Sequence, residues 1–481
     1  MKKIIKSTAA ALLRGFARIA VAFNNIFHKG ESAQNPAGQG TGNEARPRKR
    51  LVDGVDADRF TRLCVVLAVG FVTIIGAVLV TAAMHSGSRE ISVEEQQDAA
   101  NAADGFTLSL GGAIMPSQDM VDCAQGDGGY NFNNYLSELS ATLAGDITIA
   151  ELRGQINVNG KNRAVGGFDN GMNYPDELAA AISETGIHYV FGANQYAFAN
   201  GYDAMCQSIS NLHVNSVGVI GLTNTDAQKL NTSVIRVGGI GVGIAGYNCV
   251  NSKAYRALSD EQQTYIAQTD KDAEALADKA KADIAKMRGS GAEFIVICVN
   301  WGSAGSTEPG DFIKQAAQKL AEAGADVIVG CGPYITMETE VIETDNRECY
   351  VFYSLGVILG DNHNEDSAID KAMSRSMAVN LRAERAKNGT VKVESAVYSP
   401  IYLVRNPVKG EENSHLKYMA VQAANYIAAE ERPAIFADDK QWKLCREAFT
   451  AISALAEQSG GKLTLATFDK NQAQTADDTK I

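Results

Sequence analysis

Glu151 and Arg153 are an acid and a base two positions apart, just after the apolar run Ile147–Ala150. On an extended segment, side chains two positions apart point to the same side. A carboxylate and a guanidinium placed in this way can form a salt bridge with each other, or they can grip a charged ligand together. The spacing leaves both arrangements open.

Further polar and aromatic side chains follow apolar, strand-like runs elsewhere in the chain. Functional residues of α/β domains lie at strand ends and in the loops after them. The candidates for a ligand cleft are therefore Glu151, Arg153, Asn194, Gln195, Tyr196, Asn300, Trp301 and Tyr334. Amides, a pair of phenols and an acid–base pair are suited to hydrogen bonding with a polar ligand.

Three glycines mark places where a helix ends and a strand begins, namely Gly186, Gly291 and Gly324. Glycine closes a helix at low steric cost. Repeated helix–glycine–strand units predict an α/β fold in which helices cover a largely parallel sheet.

The pattern changes after about Met377, where strand-like segments follow one another without intervening helices. Helices are then predicted near His415–Glu430 and near Lys440–Gln458. The polar tail from Thr467 onward is predicted to be disordered.

Six loops, taken in order, carry a family resemblance. They read GAIM at 112–115, ELR at 151–153, ANQY at 193–196, NWG at 300–302, GCGPY at 330–334 and YSLGV at 353–357. This order resembles the capsule-synthesis proteins of the CapA type, the poly-γ-glutamate biosynthesis family, whose loops read GDIM, NLE, ANNH, HWG, GHHPH and YSLGN. That family's domain is related to calcineurin-like metallophosphoesterases. The resemblance covers residues 106–404 and implies a layered, metallophosphoesterase-like α/β sandwich.

The sequence departs from that family at the metal-ligand positions. In the family, oxygen and nitrogen ligands in these loops hold divalent metals. The corresponding residues here are Ala113, Glu151, Arg153, Gln195, Tyr196, Asn300, Cys331, Gly332, Tyr334 and Val357. Arg153 would place a fixed cation beside metal cations, and alanine, glycine and valine donate nothing. The comparison implies a scaffold without catalytic residues, metal ligands or a cofactor. The alternative is a motif displaced by a residue or two, with its ligands elsewhere.

Residues 63–84 form an apolar run, LCVVLAVGFVTIIGAVLVTAAM, without charge or proline. As a helix they would span about 33 Å, slightly more than the hydrocarbon core of a bilayer, so one transmembrane helix is predicted. Residues 1–62 hold twelve Lys and Arg against five Asp and Glu, whereas the whole chain has a net charge of −12. Because basic flanks stay in the cytoplasm, we expect a single-pass cell-membrane protein with an inner N-terminus and residues 85–481 outside.

These segments predict the domain order. Residues 1–62 are a cytoplasmic basic segment, an amphipathic helix followed by a disordered linker, and 63–84 are the transmembrane helix. A polar stalk at 85–105 leads to the CapA-like domain at 106–404, and residues 405–481 carry C-terminal helices and the tail. A basic amphipathic helix beside a span indicates contact with anionic lipid or with a partner protein, and no nucleic-acid partner is expected.

The expected function is that of a membrane-anchored, extracytoplasmic and non-catalytic protein in the biogenesis of capsule, poly-γ-glutamate or another envelope polymer. This expectation comes from the resemblance together with the replaced ligand positions. An envelope or capsule-assembly protein is the expected partner, because the acidic chain would repel a polyanion unless a local cationic patch held it. The alternative is a metal-dependent hydrolase or transferase of the same family with a rebuilt site.

Overall fold

The computed structural model describes residues 104–126, 128–158, 164–166, 171–224, 232–345, 347–360, 367–407 and 416–466. The chain divides into two units, Met1–Glu90 and Ile91–Ile481, and every described residue belongs to the second. The predicted cytoplasmic segment, the predicted span, most of the predicted stalk and the predicted disordered tail lie outside the described residues. Within the described residues, no helix combines the length and the apolar character needed to cross a membrane.

The described strands are numbered in chain order. They are β1 (Gly105–Ile114), β2 (Gln125–Gly126), β3 (Gly129–Tyr130), β4 (Ile147–Leu152), β5 (Gln155–Val158), β6 (Asn173–Pro175), β7 (Tyr189–Phe191), β8 (Gly218–Ile220), β9 (Thr232–Val237), β10 (Ile240–Asn248), β11 (Phe294–Asn300), β12 (Val327–Cys331), β13 (Thr339–Thr344), β14 (Arg347–Phe352), β15 (Val357–Leu359), β16 (Arg375–Arg385), β17 (Val391–Pro407), β18 (Leu416–Gln422) and β19 (Thr464–Leu465).

The described helices are numbered in the same way. They are α1 (Gln118–Ala124), α2 (Asn133–Leu136), α3 (Glu177–Glu184), α4 (Tyr202–Val214), α5 (Lys253–Arg256), α6 (Asp260–Gln263), α7 (Ala273–Gly289), α8 (Asp311–Ala323), α9 (Ala368–Met373) and α10 (Asp439–Glu457), with short 3-10 helices at Ser137–Leu139 and Ala423–Asn425.

Two large sheets form the framework. The first has the order β18-β17-β16-β1-β4-β7-β8, with β15 paired to β1 and β19 to β17, and the second has the order β13-β14-β12-β11-β10-β9. Strands β1, β4, β7 and β8 of the first sheet are parallel, as are β10, β11, β12 and β14 of the second. Parallel strands bring their carboxyl ends to one edge of a sheet, and the candidate loops follow those ends.

The main core lies between the two sheets, and helices cover their outer faces. In β11, Phe294 and Val296 belong to the core between the sheets, whereas Ile295 and Ile297 pack with α7 and α8 outside. Phe106 of β1 meets Phe294 edge to face across the core, with ring centroids 5.4 Å apart. A strand buried on both faces is apolar throughout, because successive side chains alternate between the faces. The predicted layered α/β architecture is confirmed.

The three predicted helix–glycine–strand units are also confirmed. Gly186, Gly291 and Gly324 follow α3, α7 and α8, with φ angles of +92°, +92° and +110°. This left-handed backbone conformation is readily accessible to glycine, which explains why each helix ends there.

The helix predicted near His415–Glu430 is wrong. Residues Leu416–Gln422 form β18, which pairs antiparallel with β17 and extends the first sheet. Its side chains point alternately into two hydrophobic cores. Tyr418 packs in the core beneath the helices of the first sheet, and Val421 packs in the core shared with α10. A strand that is apolar on both faces is easily mistaken for a helix segment. In so short a run, the hydrophobic pattern shows neither the two-residue period of a strand nor the 3.6-residue period of a helix.

The helix predicted near Lys440–Gln458 is confirmed as α10. Asp438 caps its start and accepts a hydrogen bond from the backbone N–H of Gln441 at 2.8 Å. Trp442 and Cys445 of its buried face pack in a core shared with β17 and β18. The C-terminal helix is therefore part of the folded domain.

Candidate active site with replaced ligand positions

The candidate residues come from the carboxyl ends of strands in both sheets. Glu151 lies in β4, and Arg153 follows directly after that strand ends. In the second sheet, Asn248, Asn300 and Cys331 end β10, β11 and β12, and they lie side by side in register. The parallel strands of the two sheets thus present their loops to a common space.

The structure brings six of the eight predicted residues together, in what we call the Arg153 cluster. Its members are Glu151, Arg153, Gln195, Tyr196, Asn300 and Tyr334.

Arg153 is fully buried at the centre of this cluster. Its Nη2 lies 2.7 Å from Glu151 Oε1 and donates to Asn300 Oδ1 at 3.1 Å. Its Nη1 donates to the Tyr334 hydroxyl at 3.0 Å. The guanidinium carbon is 4.4 Å from the centroid of the Tyr334 ring and 5.9 Å from that of Tyr196, so both rings contribute cation–π attraction. One cation therefore links four of the six loops.

Glu151 and Arg153 pair with each other, which decides between the two arrangements that their spacing left open. Their side chains are 4% and 0% exposed, so a ligand in solvent has no direct access to either charge. Glu151 Oε1 is buried against the guanidinium, and Arg153 Nε is buried without a hydrogen-bond partner. The pair is therefore sensitive to the loss of either member.

Burial governs the protonation of the cluster. It raises the pKa of the Glu151 carboxyl, and Arg153 and the Cys331 thiol offset part of that rise. Burial disfavours the charged form of Arg153, but Glu151, Tyr334 and Cys331 favour it more strongly and hold its pKa above the ordinary value. The guanidinium is thus the fixed charge of the pair, and the carboxyl is the member whose protonation can change.

A chain of amides extends from the cluster into the second sheet. Gln195 Nε2 donates to the Tyr334 hydroxyl at 3.3 Å, and Gln195 Oε1 accepts from Asn300 Nδ2 at 2.8 Å. Asn300 Nδ2 also donates to Asn248 Oδ1 at 2.7 Å, and Asn248 Nδ2 donates to Gln268 Oε1 at 2.7 Å. These bonds fix the orientation of Gln195 and Asn300.

Asn248 also belongs to this hydrogen-bonded chain, although it was not among the residues predicted from the sequence. This residue directly follows Ile240–Tyr247, a run that reads as a strand, and it therefore occupies the same kind of strand-end position as Asn300. Its position at the end of a strand could have identified it as a candidate from the sequence.

Two predicted residues support the cluster from outside. Asn194 Nδ2 donates to the Leu152 carbonyl at 2.8 Å, and Asn194 Oδ1 accepts from the backbone N–H of Tyr196 at 3.1 Å. Trp301 is buried in the outer core of the second sheet, where its Nε1 donates to the Tyr353 carbonyl at 3.2 Å. Both side chains fix loops rather than line a cleft.

Tyr334 reaches Arg153 from a strained backbone. Its φ angle is +67°, in the left-handed region that non-glycine residues rarely adopt. Gly332, two residues before it, has φ +119°. The conformation places the Tyr334 hydroxyl 3.2 Å from that of Tyr196 and its ring beside the guanidinium. Strain of this kind persists where surrounding contacts enforce it, as they do here.

Residues 107–362, more than half of the chain, match the family described as "Bacterial capsule synthesis protein PGA_cap". The chain belongs to this family. The resemblance predicted from the order of the six loops is confirmed.

A curated relative, "PGA biosynthesis protein CapA" from Bacillus subtilis (strain 168), is 24% identical over 223 residues, which are 45% of this chain and 52% of the relative. The chain therefore spans about half the length of the curated relative that it matches.

Solved structures give weaker likenesses. The NAD nucleotidase NadN of Haemophilus influenzae has a TM-score of 0.37 and 12% identity, covering 78% of this chain and 66% of that one. The purple acid phosphatase PPD1 from yellow lupin seeds has a TM-score of 0.26 and 10% identity, covering 62% of this chain and 54% of that one. At these values the likeness carries no conclusion about activity.

The residues at the family's ligand positions do not fit a pair of metal ions. Tight metal centres need several carboxylate, imidazole or thiolate ligands that converge on each ion. The carboxylate of the cluster, Glu151, is already paired with Arg153, whose fixed positive charge repels cations. Among the residues that the structure describes, no three His, Cys, Asp or Glu side chains are grouped to hold a metal ion.

Space around the cluster is unevenly distributed. On its inner side, a cavity beside Ala113, Glu151 and Cys331 has a volume of about 10 Å³, room for at most one water. On its outer side, a cavity of about 380 Å³ opens beside Gln195 and Lys271. A ligand in this outer cavity, which we call the cleft mouth, would meet the cluster through Gln195.

Proposed function

We propose that this member of the family is a non-catalytic protein that binds or organises an envelope component during the biogenesis of capsule, poly-γ-glutamate or a related exported polymer. The observation that carries the proposal is the buried Arg153–Glu151 pair at the centre of the six loops. The polymer class is taken from the family and from the name of the Bacillus subtilis relative.

The chemistry of the cluster supports a binding role. Metallophosphoesterase reactions need a water or hydroxide that metals activate. In the cluster, Glu151 is buried against a cation. Burial raises the pKa of the Tyr334 phenol and of the neighbouring Cys331 thiol, so both favour their neutral forms. Neither is poised as an anionic nucleophile at neutral pH.

The cleft mouth is the part of the site that a ligand can enter. Its volume of about 380 Å³ lies within the range of small-molecule sites. Gln195, Thr269 and Ser303 offer polar groups there, and Lys271 and Asp270 supply one charge of each sign. This lining suits a polar segment of a partner protein or polymer better than an apolar ligand.

Turnover of a phosphodiester tests the non-catalytic proposal. We expect the purified full chain with added Mn²⁺ to hydrolyse bis(p-nitrophenyl) phosphate no faster than the buffer with Mn²⁺ alone. The matched variant is Glu151→Gln, because a rebuilt catalytic site would depend on the carboxylate of the cluster. Turnover that disappears with a chelator and in Glu151→Gln would support the alternative, a metal-dependent hydrolase or transferase.

We further propose that residues 63–84 anchor the chain in the cell membrane, with residues 1–62 at the anionic cytoplasmic surface and the described domain outside. The charge-free run and its basic flank support this topology. Protease added to intact cells should remove the C-terminal domain and leave a short N-terminal fragment. A chain that stays intact in whole cells but is cut after lysis would contradict the proposed orientation.

A further inference from the structure

A second cavity lies away from the Arg153 cluster, beside helix α7. Its volume is about 560 Å³, and its walls come from β7, His213 near the end of α4, β8 with residues 221–223, the β9–β10 hairpin, residues 264–267 and α7. No member of the Arg153 cluster lines it. We propose that this cavity binds a small organic anion, whose acidic group pairs with the ammonium of Lys279 and whose hydroxylated body contacts the tyrosine and threonine side chains of the walls.

The charged side chains of the cavity lie on one face of α7. Lys279, Asp283 and Lys286 are four and three residues apart, so they are neighbours on the helix surface. Asp283 is buried, accepts a hydrogen bond from the Tyr247 hydroxyl at 3.0 Å and pairs with Lys286 Nζ at 3.0 Å. The Asp283 carboxylate is therefore already engaged by two partners.

Lys279 is the cation that lacks an acidic partner. It is half-buried, and its Nζ donates to the Gln268 carbonyl at 2.8 Å and lies 6.0 Å from the centroid of the Tyr247 ring. Over the described ranges of the chain, no carboxylate lies at ion-pair distance from this ammonium. An ammonium carries three N–H donors, so donors remain for a ligand.

The energetics favour an anion at this position. Burial lowers the pKa of Lys279, the nearby charge of Lys286 adds to that effect, and the Asp283 carboxylate opposes it only from a distance. Taking a cation out of water without a close counterion is unfavourable. A ligand that brings a negative charge to Lys279 would remove this penalty, whereas a cationic ligand would add to it.

The rest of the lining indicates the body of the ligand. Tyr189 and Tyr265 are lining residues with ring surface, and Thr232 and Thr264 are lining residues with hydroxyls. A cavity of this volume accommodates a small molecule. A cavity that combines ring surface, hydroxyl groups and the Lys279 ammonium matches a sugar that carries a single acidic group. Sugar acids and sugar phosphates are two classes of such molecules.

Isothermal titration calorimetry of the purified full chain tests this inference with glucuronate, glucose 6-phosphate and neutral glucose. We expect saturable binding of at least one anion, and binding of glucose at least about tenfold weaker. Binding of glucuronate alone would identify a carboxylate site, and binding of glucose 6-phosphate alone would identify a phosphate site. Binding of both would show that the site recognises the negative charge and not one particular acidic group. Absence of saturable heat with both anions up to about 10 mM would overturn the proposal.

Three variants make the test specific. Lys279→Gln should weaken anion binding by at least about tenfold. Lys281→Gln removes an exposed lysine from the same helix and should leave affinity unchanged. Lys279→Met should also lose binding while melting no lower than wild type, because it removes a half-buried charge without a close counterion and keeps the length of the side chain. Unchanged affinity in Lys279→Gln would overturn the proposal.

Discussion

Replacing Arg153 with methionine is expected to lower the free energy of unfolding by about 3–5 kcal/mol. Methionine fills a similar volume but leaves the Glu151 carboxylate buried without its counterion. It also removes the donors to Asn300 Oδ1 and to the Tyr334 hydroxyl. Urea denaturation of the full chain measures the loss.

Removing both charges should restore much of that stability. In the double variant Glu151→Leu with Arg153→Met, no buried charge remains, and such replacements of a whole buried pair are often nearly neutral. Arg382→Met is the control, since Arg382 is 36% exposed and pairs with the similarly exposed Glu384 at 3.0 Å. Its effect should stay within about 1 kcal/mol. A double variant less stable than Arg153→Met would contradict this account of the pair.

The pH dependence gives a second readout of Arg153→Met. Burial raises the pKa of Glu151 in the folded state, and the variant loses the cation that opposes this rise. Between the unfolded pKa near 4.3 and the higher folded value, the folded state holds a proton that the unfolded state has released. Stability therefore falls as the pH rises through that range. From about pH 5 to pH 8 the variant should lose more stability than wild type does.

Replacing Gly330 with alanine is expected to cost about 3 kcal/mol or more, because the added methyl group has no room. A Cβ at this position would lie 2.2 Å from the Tyr353 carbonyl oxygen and 2.4 Å from Trp301 Nε1. Both neighbours are buried, and they hydrogen-bond to each other at 3.2 Å. The substitution would separate the loops that follow β11 and β14, so the melting temperature should drop sharply.

Gly289→Ala is the matched control for Gly330→Ala. Gly289 is the last residue of α7, and a Cβ there would meet no atom within 4 Å. Because alanine favours helix more than glycine does, this variant should be as stable as wild type or slightly more stable. Equal melting temperatures for the two variants would mean that the close approach at Gly330 does not constrain the loops.

The framework of this protein could be predicted from its sequence because the signals are local. Gly186, Gly291 and Gly324 each end a helix through a backbone conformation that favours glycine, and the apolar runs after them are strands. The convergence of the loops follows from the parallel order of those strands. The layered arrangement of the sheets and helices was predicted from the resemblance of the six loops, in their order, to those of the family.

Other features could not be predicted because they depend on tertiary burial. Spacing left the Glu151–Arg153 pair open to two arrangements, and its complete burial decides between them. Trp301 was expected in the cleft, but it packs outward and fixes the loop from behind. The strand at Leu416–Gln422 is apolar on both faces, so its sequence lacks the alternation of apolar and polar residues that identifies a strand. Lys279 lies on the polar side of a helix. From the sequence alone such a side is expected to face solvent, so nothing distinguishes Lys279 from the exposed lysines beside it.

Elemental analysis of the full chain, purified without chelator, tests most directly whether a buried cation has replaced the metals of the six loops. We expect far less than one transition-metal ion per chain and a melting temperature that a chelator leaves unchanged, because the Arg153–Glu151 pair holds the loops. Nearly one or two ions per chain, with a melting temperature that falls when a chelator removes them, would contradict the account.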